Sequence, residues 1–211
     1  MVSPYISHTT HEVRQEEQLT KAAMSLGRRF MFDEAHGLQV ARLALSLFDQ
    51  LRGLHGLEDD DRKLLLAAAI LHDIGSFISR KKHHKHSLYI IKRSELPGLS
   101  PAEMLMVGNI SRYHRRNIPR SNHVDFMRLS DSQRDRTTRL AALLRVADAL
   151  DRAHLQNVES VEAELGSDEV TLKLESDEDC LLERWALAQK KTLFEKVFRR
   201  SVTALVRKNG A

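Results

Sequence analysis

The sequence predicts a mainly α protein, in which a helical bundle is followed by a small α+β lobe. Leu, Ala, Arg and Glu are abundant and the 211 residues include only four prolines, which is typical of helical proteins. Apolar residues recur at helical spacing up to about residue 155, whereas the alternation typical of strands begins near Val158. We therefore predict a helical domain over residues 1–155 and a ββαβ lobe over residues 156–211.

The predicted helices begin with residues 11–30, whose apolar positions follow a helical period. The second helix starts near His36, has a broad apolar stripe for the core, and can be capped by Asp33. A segment with two glycines, residues 53–56, ends this helix. The acidic residues 58–61 then favour the N-terminus of a third helix.

That third helix leads into LLLAAAILHDIGSF, residues 64–77, the most informative stretch of the chain. Its apolar first half predicts burial on most faces, and His72 and Asp73 then interrupt the run. Two adjacent ionisable groups at the end of a buried helix are unfavourable without a partner, and a metal ion is the commonest partner for such a couple. Gly75 is expected to stop the helix, which would leave the pair on the last turn, facing an opening.

The middle of the chain predicts three further elements. Leu88, Ile90 and Ile91 indicate a helix with an apolar face, and a second helix over residues 100–114 starts with a capping pair, Ser100 and Glu103. Residues 115–133 are polar and are interpreted as a long loop, which in a compact domain is usually functional or mobile. A strongly amphipathic helix follows over residues 136–154.

The predicted lobe starts with two alternating segments, residues 158–165 and 169–175, that are separated by a turn and indicate a β-hairpin. Residues 179–198 return to a helical period, and residues 201–206 are consistent with a last strand. We expect Trp185 to pack the lobe or a homodimer interface. This order completes the ββαβ arrangement.

Several histidines and acids lie at or near the ends of the predicted buried helices. His36, His72, Asp73 and Asp148 are the main candidates for metal ligands, and a set of His and carboxylate groups without cysteine suits Mn, Mg, Fe, Co or Ni, and less selectively Zn. Such an ion polarises a phosphoryl oxygen and lowers the pKa of bound water. For any single histidine a structural role is the commoner one, and His154 is interpreted as an ordinary residue.

The formal net charge of +4 is modest, but basic residues crowd the middle of the chain and indicate an anionic ligand, most simply a phosphate ester. A solvated surface is the alternative for any single arginine. Arg145 and Arg152 share a helix face with Asp148, and either contact a bound phosphate or pair with Asp148 and Asp151. The basic residues in question are Arg80, Lys81, Lys82, Lys85, Arg112, Arg115, Arg116 and Arg120.

A single cysteine excludes an internal disulfide framework and a Cys-rich zinc module, and it is consistent with a reducing cytoplasm. The polar first 17 residues predict neither a signal peptide nor a membrane span. Nucleic-acid binding would draw only on the positive charge, because the sequence has no basic platform interleaved with aromatic residues and no recognition motif.

The order His36, His72-Asp73 and Asp148 on separate helices resembles the HD superfamily of metal-dependent phosphohydrolases. More closely, five segments over about residues 12–206 resemble the C-terminal region of exopolyphosphatase/guanosine-pentaphosphate phosphatases. These segments are HGLQVARLALSLFDQL, AAILHDIGSFIS, HHKHSLYIIKRSELPGLS, RYHRR and LLRVADALDRAH.

The resemblance implies an HD-domain helical bundle in which the four main candidates hold a divalent metal ion. It also implies that His86 and His114 occupy positions where HD proteins with two metals add histidines, so that one or two ions bind per chain. The same resemblance makes His72 and Asp73 candidates for catalysis. The candidates for phosphate contacts are Lys85, Arg115, Arg145 and Arg152.

Two functions follow from these expectations. The first is an enzyme that hydrolyses a phosphate ester or anhydride, of a nucleotide or a polyphosphate-like compound. The second is a regulatory module that binds polyphosphate or a guanosine alarmone without turnover. The chain shows no Gly-rich loop like those of the actin-like lobe that cleaves polyphosphate in the resembled family, so the resemblance does not carry that mechanism to these residues.

Overall fold

The helical bundle surrounds one helix, α4, whose residues 64–71 are buried. The computed structural model describes residues 10–115 and 117–208, with side chains from residue 14 onward; Arg116 and the ends of the two predicted domains lie outside the described residues. The helices of the bundle are α1 (Thr10–Arg29), α2 (Glu34–Gln50), α3 (Arg52–His55), α4 (Asp59–Leu71), α5 (His83–Ile91), α6 (Pro101–Arg112), α7 (Val124–Met127) and α8 (Asp131–Ala149).

Helix α4 is central because its residues 64–71 carry no polar side chain, and every one of them is buried. Helices α1, α2, α6 and α8 pack around it. Burying a Leu or Ile side chain contributes about 1.5–3 kcal/mol, so this segment is a main source of the stability of the bundle. The predicted burial of residues 64–71 is confirmed.

The loop predicted over residues 115–133 is shorter than expected. Helix α7 interrupts it, and α8 begins at Asp131. The start of α8 is a capping box in which the Ser130 hydroxyl accepts from the N–H of Gln133, while the Gln133 side chain accepts from the N–H of Ser130. The spacing Ser-x-x-Gln signals a helix start in the sequence, and the interpretation of this segment as a loop was wrong there.

Gly75 does not stop α4 as the sequence predicted. The helix stops at Leu71, a 3₁₀ turn follows at Ile74–Phe77, and Gly75 is not among the described glycines with positive φ. A Cβ at this position would lie 2.2 Å from the carbonyl oxygen of His83 and 2.3 Å from the nitrogen of Ser87. The glycine is therefore needed for the close approach of α5, which brings His83 to the end of α4.

The lobe has the predicted ββαβ order, with the helical segment divided in two. Strand β1 (Ser160–Leu165) pairs antiparallel with β2 (Glu169–Glu175), and β2 pairs parallel with β3 (Ser201–Arg207). Helices α9 (Leu181–Lys190) and α10 (Thr192–Phe198) connect β2 to β3 and pack against α8. One continuous group of buried apolar side chains runs through the bundle and the lobe. The change of sequence pattern near residue 156 is thus not a break in packing.

Candidate metal centre and phosphate-binding cleft

The four main metal-ligand candidates lie together at the ends of three helices. His36 lies in the first turn of α2, His72 and Asp73 follow α4, and Asp148 lies in the last turn of α8. The Nε2 atoms of His36 and His72 are 3.2 Å apart, and Asp148 Oδ1 lies 3.7 and 3.8 Å from them. Asp73 Oδ1 is 3.8 Å from His72 Nε2. Donor atoms of His36, His72 and Asp73 therefore lie within 4.8 Å of one another, and Asp148 Oδ1 adjoins the two histidines.

A second group of donors shares Asp73 with the first. Asp73 Oδ1 lies 3.0 Å from His83 Nε2 and 3.3 Å from His114 Nε2, and these two nitrogens are 3.1 Å apart. His114 thus lies beside Asp73. His86, in contrast, belongs to neither group of metal-ligating side chains within the described residues. The structure brings His83 to the site instead.

The geometry of α5 explains why His83 takes this place. The apolar face of the helix packs on α6, with Leu88 against Gly108, and the site lies beyond the N-terminal end of the helix. His83 is the first residue of α5, whereas His86 is about 4.5 Å further along the helix axis. The expectation for His86 came from the family resemblance, whereas the position of a histidine along α5 decides whether it reaches the site. A residue at the helix end reaches the site without belonging to the apolar face.

The hydrogen bonds of His36 and His72 determine which nitrogen of each neutral ring carries the proton. His36 Nδ1 lies 2.7 Å from Asp151 Oδ2, and His72 Nδ1 lies 2.7 Å from the carbonyl oxygen of Ala69. Both partners are acceptors, so in each neutral ring Nδ1 carries the proton and Nε2 keeps a lone pair. The two lone pairs face each other across 3.2 Å. A cation between them removes the repulsion and gives both nitrogens a partner.

The same pattern recurs in the second group. His114 Nδ1 lies 2.6 Å from the carbonyl oxygen of Ser111, and His83 Nδ1 lies 3.1 Å from that of Arg80. The Nε2 atoms of the two stacked rings again point at each other. Backbone carbonyls and carboxylates that orient histidines in this way are typical of metal-ligating imidazoles.

Asp73 supplies the clearest sign that the pocket takes a cation. Its Oδ1 is buried and accepts no hydrogen bond within the described residues, although three Nε2 atoms surround it. Burial opposes ionisation of the carboxyl, but the neighbouring histidines hold the pKa of Asp73 well below its ordinary value. Burial lowers the pKa of His72 and of His114. A carboxylate of low pKa among imidazoles fits divalent metal ions.

The electrostatics around His36 favour positive charge as well. Burial alone lowers the pKa of His36, but its hydrogen bond to Asp151 and the charges of Asp148 and Asp73 raise it overall. Burial also opposes ionisation of Asp148, and the Lys190 ammonium, whose Nζ lies 2.5 Å from Oδ2, keeps its pKa low. Lys190 belongs to α9, so the lobe holds one oxygen of Asp148 while the other faces the histidines.

Sequence reasoning missed three residues of this site besides His83. Asp151 was predicted only as a partner for Arg145 or Arg152, although its spacing from Asp148 places both acids on one side of the chain as the helix ends. His154 stacks on His36 with 3.6 Å between ring centroids, and its Nδ1 lies 2.9 Å from Asp33 Oδ2. No signal in the sequence marks His154 or Lys190, because His154 reaches the site through a turn after α8 and Lys190 reaches it from the lobe.

Three of the four predicted phosphate contacts line the cleft beside the metal ligands. Arg115, Arg145 and Arg152 are among the lining residues, and none of them forms an ion pair within the described residues. Lys85 is exposed and lines neither cavity at the site. It follows His83 by two residues, which turns it by about 200° around α5 and away from the cleft. The geometry thus does not support Lys85 as a phosphate contact.

The family described as Ppx/GppA phosphatase, domain III, matches residues 19–195. The chain belongs to the Ppx/GppA phosphatase family. The matched range contains the metal-ligand candidates and the basic residues of the cleft, and the predicted resemblance is confirmed. Within the described residues, no helix of this Ppx/GppA domain combines the length and the apolar character that a membrane crossing requires.

Relatives of this Ppx/GppA domain occur in Vibrio, and three of them carry the name guanosine-5'-triphosphate,3'-diphosphate pyrophosphatase. The relative from Vibrio parahaemolyticus is 31% identical over 167 residues, which are 78% of this chain and 33% of the relative. Those from Vibrio vulnificus and Vibrio campbellii are 33% and 34% identical over 108 residues, or 51% of this chain and 22% of each relative. The chain therefore spans a third or less of the length of these relatives.

Proposed function

We propose that this Ppx/GppA-family domain is a metal-dependent phosphohydrolase that cleaves a phosphate ester or anhydride at its His/Asp centre. The observation that carries the proposal is Asp73 Oδ1, a buried carboxylate oxygen that accepts no hydrogen bond from the described residues and that two groups of histidines share. Three arginines that form no ion pair in the described part of the chain, Arg115, Arg145 and Arg152, line the cleft beside it. A site that combines metal ligands with unpaired arginines suits the charge of a phosphoryl group.

In this proposal His36, His72, Asp73 and Asp148 hold one divalent ion, and Asp73, His83 and His114 hold a second. Such ions supply charge that polarises a phosphoryl oxygen and acidifies water.

Residues around the ligands bind and orient. Asp151 keeps the lone pair of His36 Nε2 directed at the centre, and Lys190 holds the orientation of Asp148. Arg115 and Arg152 at the mouth of the cleft neutralise the phosphate that enters.

The names of the relatives support a phosphorylated nucleotide as substrate, and a polyphosphate-like compound fits the same charge. One relative shares 31% identity with most of this chain and is named for a guanosine-5'-triphosphate,3'-diphosphate pyrophosphatase. A cytoplasmic location is proposed from the free, buried Cys180. Association into a homodimer stays a prediction, and a measurement of the mass of the protein in solution tests it.

The test combines metal content with phosphate release. The purified protein is loaded with Mn²⁺, Mg²⁺, Co²⁺ or Ni²⁺, and phosphate release is measured on a panel of esters and anhydrides. Asp73→Asn should lose bound metal and at least 100-fold in kcat/KM, while Asp177→Asn, at an exposed acid of the lobe, should match the wild type. Wild-type protein that retains metal and releases no phosphate from any compound contradicts the proposal.

A second function is favoured by one observation: the guanidinium of Arg145 is buried, and its Nε and Nη1 atoms form no hydrogen bond with the residues that the structure describes. It suits a regulatory module that binds polyphosphate or a guanosine alarmone without turnover. Binding of either compound that Asp73→Asn leaves unchanged, together with no phosphate release by the wild type, would establish this alternative.

A further inference from the structure

The cleft at the metal-ligand groups divides into two arms of different chemistry. The first arm, the aromatic arm, is a cavity of about 750 Å³ with Phe30, Met31, Phe32 and Phe77 in its wall. Phe30 and Phe77 meet edge to face with 5.6 Å between ring centroids, and half of the surface of Phe77 is exposed. Exposed aromatic rings beside a polar site favour a planar or apolar group of a ligand.

The second arm, the cationic arm, is a cavity of about 430 Å³ between α8 and α9, and Arg145, Trp185, Gln189 and Lys190 contribute to its wall. Lys190 already pairs with Asp148, so its charge is engaged. Arg145 has 3% of its surface exposed, and its Nε and Nη1 atoms have no hydrogen-bond partner among the described residues. Buried N–H groups of a guanidinium that form no hydrogen bond are unfavourable, so the arm is suited to an anionic group that forms the missing bonds.

The two arms share one wall, which contains the proposed reaction centre. Asp73, His83, Arg115, Arg152 and His154 line both cavities. A phosphoryl group beside Asp73 therefore has one arm on each side. The two ends of its substrate extend into different environments, one aromatic and one cationic.

We propose that the cleft selects a two-ended phosphoanhydride, with a planar apolar group in the aromatic arm and a further phosphate against Arg145 in the cationic arm. This inference rests on the proposed phosphohydrolase function and defines its substrate class. Inorganic polyphosphate lacks the apolar end, and a simple aryl phosphate lacks the second phosphate. Each of them occupies one arm.

Hydrolysis of such a substrate is balanced without any further reactant. The oxygen of water forms the new bond to phosphorus, and the bridging P–O bond breaks with its electron pair going to the departing phosphate. The two protons of water are distributed among the products and the solvent. The products are an organic monophosphate and inorganic phosphate.

Three compounds separate the contributions of the two arms: phenyl diphosphate has both ends, phenyl phosphate has only the aromatic end, and inorganic diphosphate has only the phosphate end. With the metal-loaded wild type, we expect kcat/KM for phenyl diphosphate to exceed that for either other compound at least tenfold. This comparison does not depend on the folding of any variant.

Two variants then assign the arms. Arg145→Gln should lower the preference for phenyl diphosphate over phenyl phosphate at least tenfold. Phe77→Ala should lower the preference for phenyl diphosphate over inorganic diphosphate. Arg184→Gln and Tyr89→Ala, which replace exposed residues that line neither arm, are the matched controls. Calorimetry with the methylene-bridged analogue of phenyl diphosphate should show at least tenfold weaker binding to Arg145→Gln, independently of turnover.

The outcomes distinguish the two proposals. If phosphate is released from at least one compound but the three kcat/KM values agree within threefold, the two-ended selection is wrong and the phosphohydrolase stands. The same holds if neither Arg145→Gln nor Phe77→Ala changes the preferences. If none of the compounds in this set or in the wider panel is hydrolysed, the proposed function itself fails, and the selection with it.

Discussion

At the scale of single residues, the site depends on which histidine of α5 reaches Asp73. His83 Nε2 lies 3.0 Å from Asp73 Oδ1, while His86 is outside both groups of ligands. We expect His83→Ala to lose about one bound ion per chain and at least 100-fold in kcat/KM, because Asp73 and His114 alone leave the second group incomplete. The measurement is metal content after loading, together with phosphate release.

His86→Ala is the matched control, since it removes a neighbouring histidine of the same helix that does not face the site. It should keep the metal content of the wild type. Loss of metal in His86→Ala with retention in His83→Ala would contradict the assignment.

A second residue, His55, makes stability depend on pH away from the cleft. Its Nε2 donates to the carbonyl oxygen of Phe48, and its Nδ1 accepts from the N–H of Leu57, so the buried ring is neutral. Burial lowers the pKa of His55 below its ordinary value of about 6.5. The unfolded chain therefore binds the proton more readily than the folded one, and acid favours unfolding.

We expect the contribution of His55 to the free energy of unfolding to be complete above pH 6.5. This contribution should diminish as the pH falls below that value, by at most about 1.4 kcal/mol for each pH unit. Free energies of unfolding from urea titrations at pH 7.5 and 5.5, with chelator present, measure it. The decrease should be smaller in His55→Gln than in the wild type. Equal decreases in both proteins would show that His55 is not the cause.

At the scale of elements, the junction of α4 and α5 depends on the absence of a side chain at Gly75. A methyl group there would meet the backbone of α5 at 2.2 and 2.3 Å, and backbone atoms cannot move aside as a flexible side chain can. We expect Gly75→Ala to lower the free energy of unfolding by about 3 kcal/mol and to reduce metal binding, because α5 and His83 are displaced.

Gly53→Ala is the control, because a Cβ at that helical position meets nothing within 4 Å. It should be neutral or stabilise the protein by up to about 1 kcal/mol. Chemical denaturation of both variants checks the pair, and an unchanged stability of Gly75→Ala would contradict the close approach.

The N-terminus of α8 provides a second test at this scale. The Ser130 hydroxyl accepts from the N–H of Gln133, so Ser130→Ala should lower the free energy of unfolding by about 1 kcal/mol. Ser132→Ala, within the first turn of the same helix, should change it by less than half as much. Thermal unfolding of the two variants makes the comparison, and equal effects would mean that the cap does not stabilise α8.

At the scale of the whole molecule, the bundle and the lobe share one apolar core. Helix α8 packs against α9 and α10, and α2 packs against β1. The lobe also holds Asp148 through Lys190, so both parts contribute to the metal centre. A shared core of this kind predicts that the two parts unfold together.

The single tryptophan, Trp185, lies on α9 and reports on the lobe, whereas far-ultraviolet circular dichroism reports mainly on the bundle. We expect urea transitions followed by the two probes to have the same midpoint. Two separated midpoints would instead show that the regions before and after residue 155 are independently stable.

Much of this protein could be predicted from local patterns. The burial of residues 64–71 follows from an apolar run without charges, and the β-hairpin of the lobe follows from alternation and its turn. His36, His72, Asp73 and Asp148 could be chosen because each lies at the end of an apolar helix, where a polar side chain can extend beyond the core. Period and position along a helix are properties of the sequence itself.

The sequence by itself thus determined the fold class and the buried stretch of the central helix, and it proposed four donors at helix ends. The tertiary structure alone decided the residues whose place depends on how elements approach one another. His83 reaches Asp73 because Gly75 admits α5, and Lys190 reaches Asp148 because the lobe packs on α8. The physical reason is that helical period specifies which face of an element is buried, whereas the contacts of its ends depend on distances between elements that are far apart in the chain.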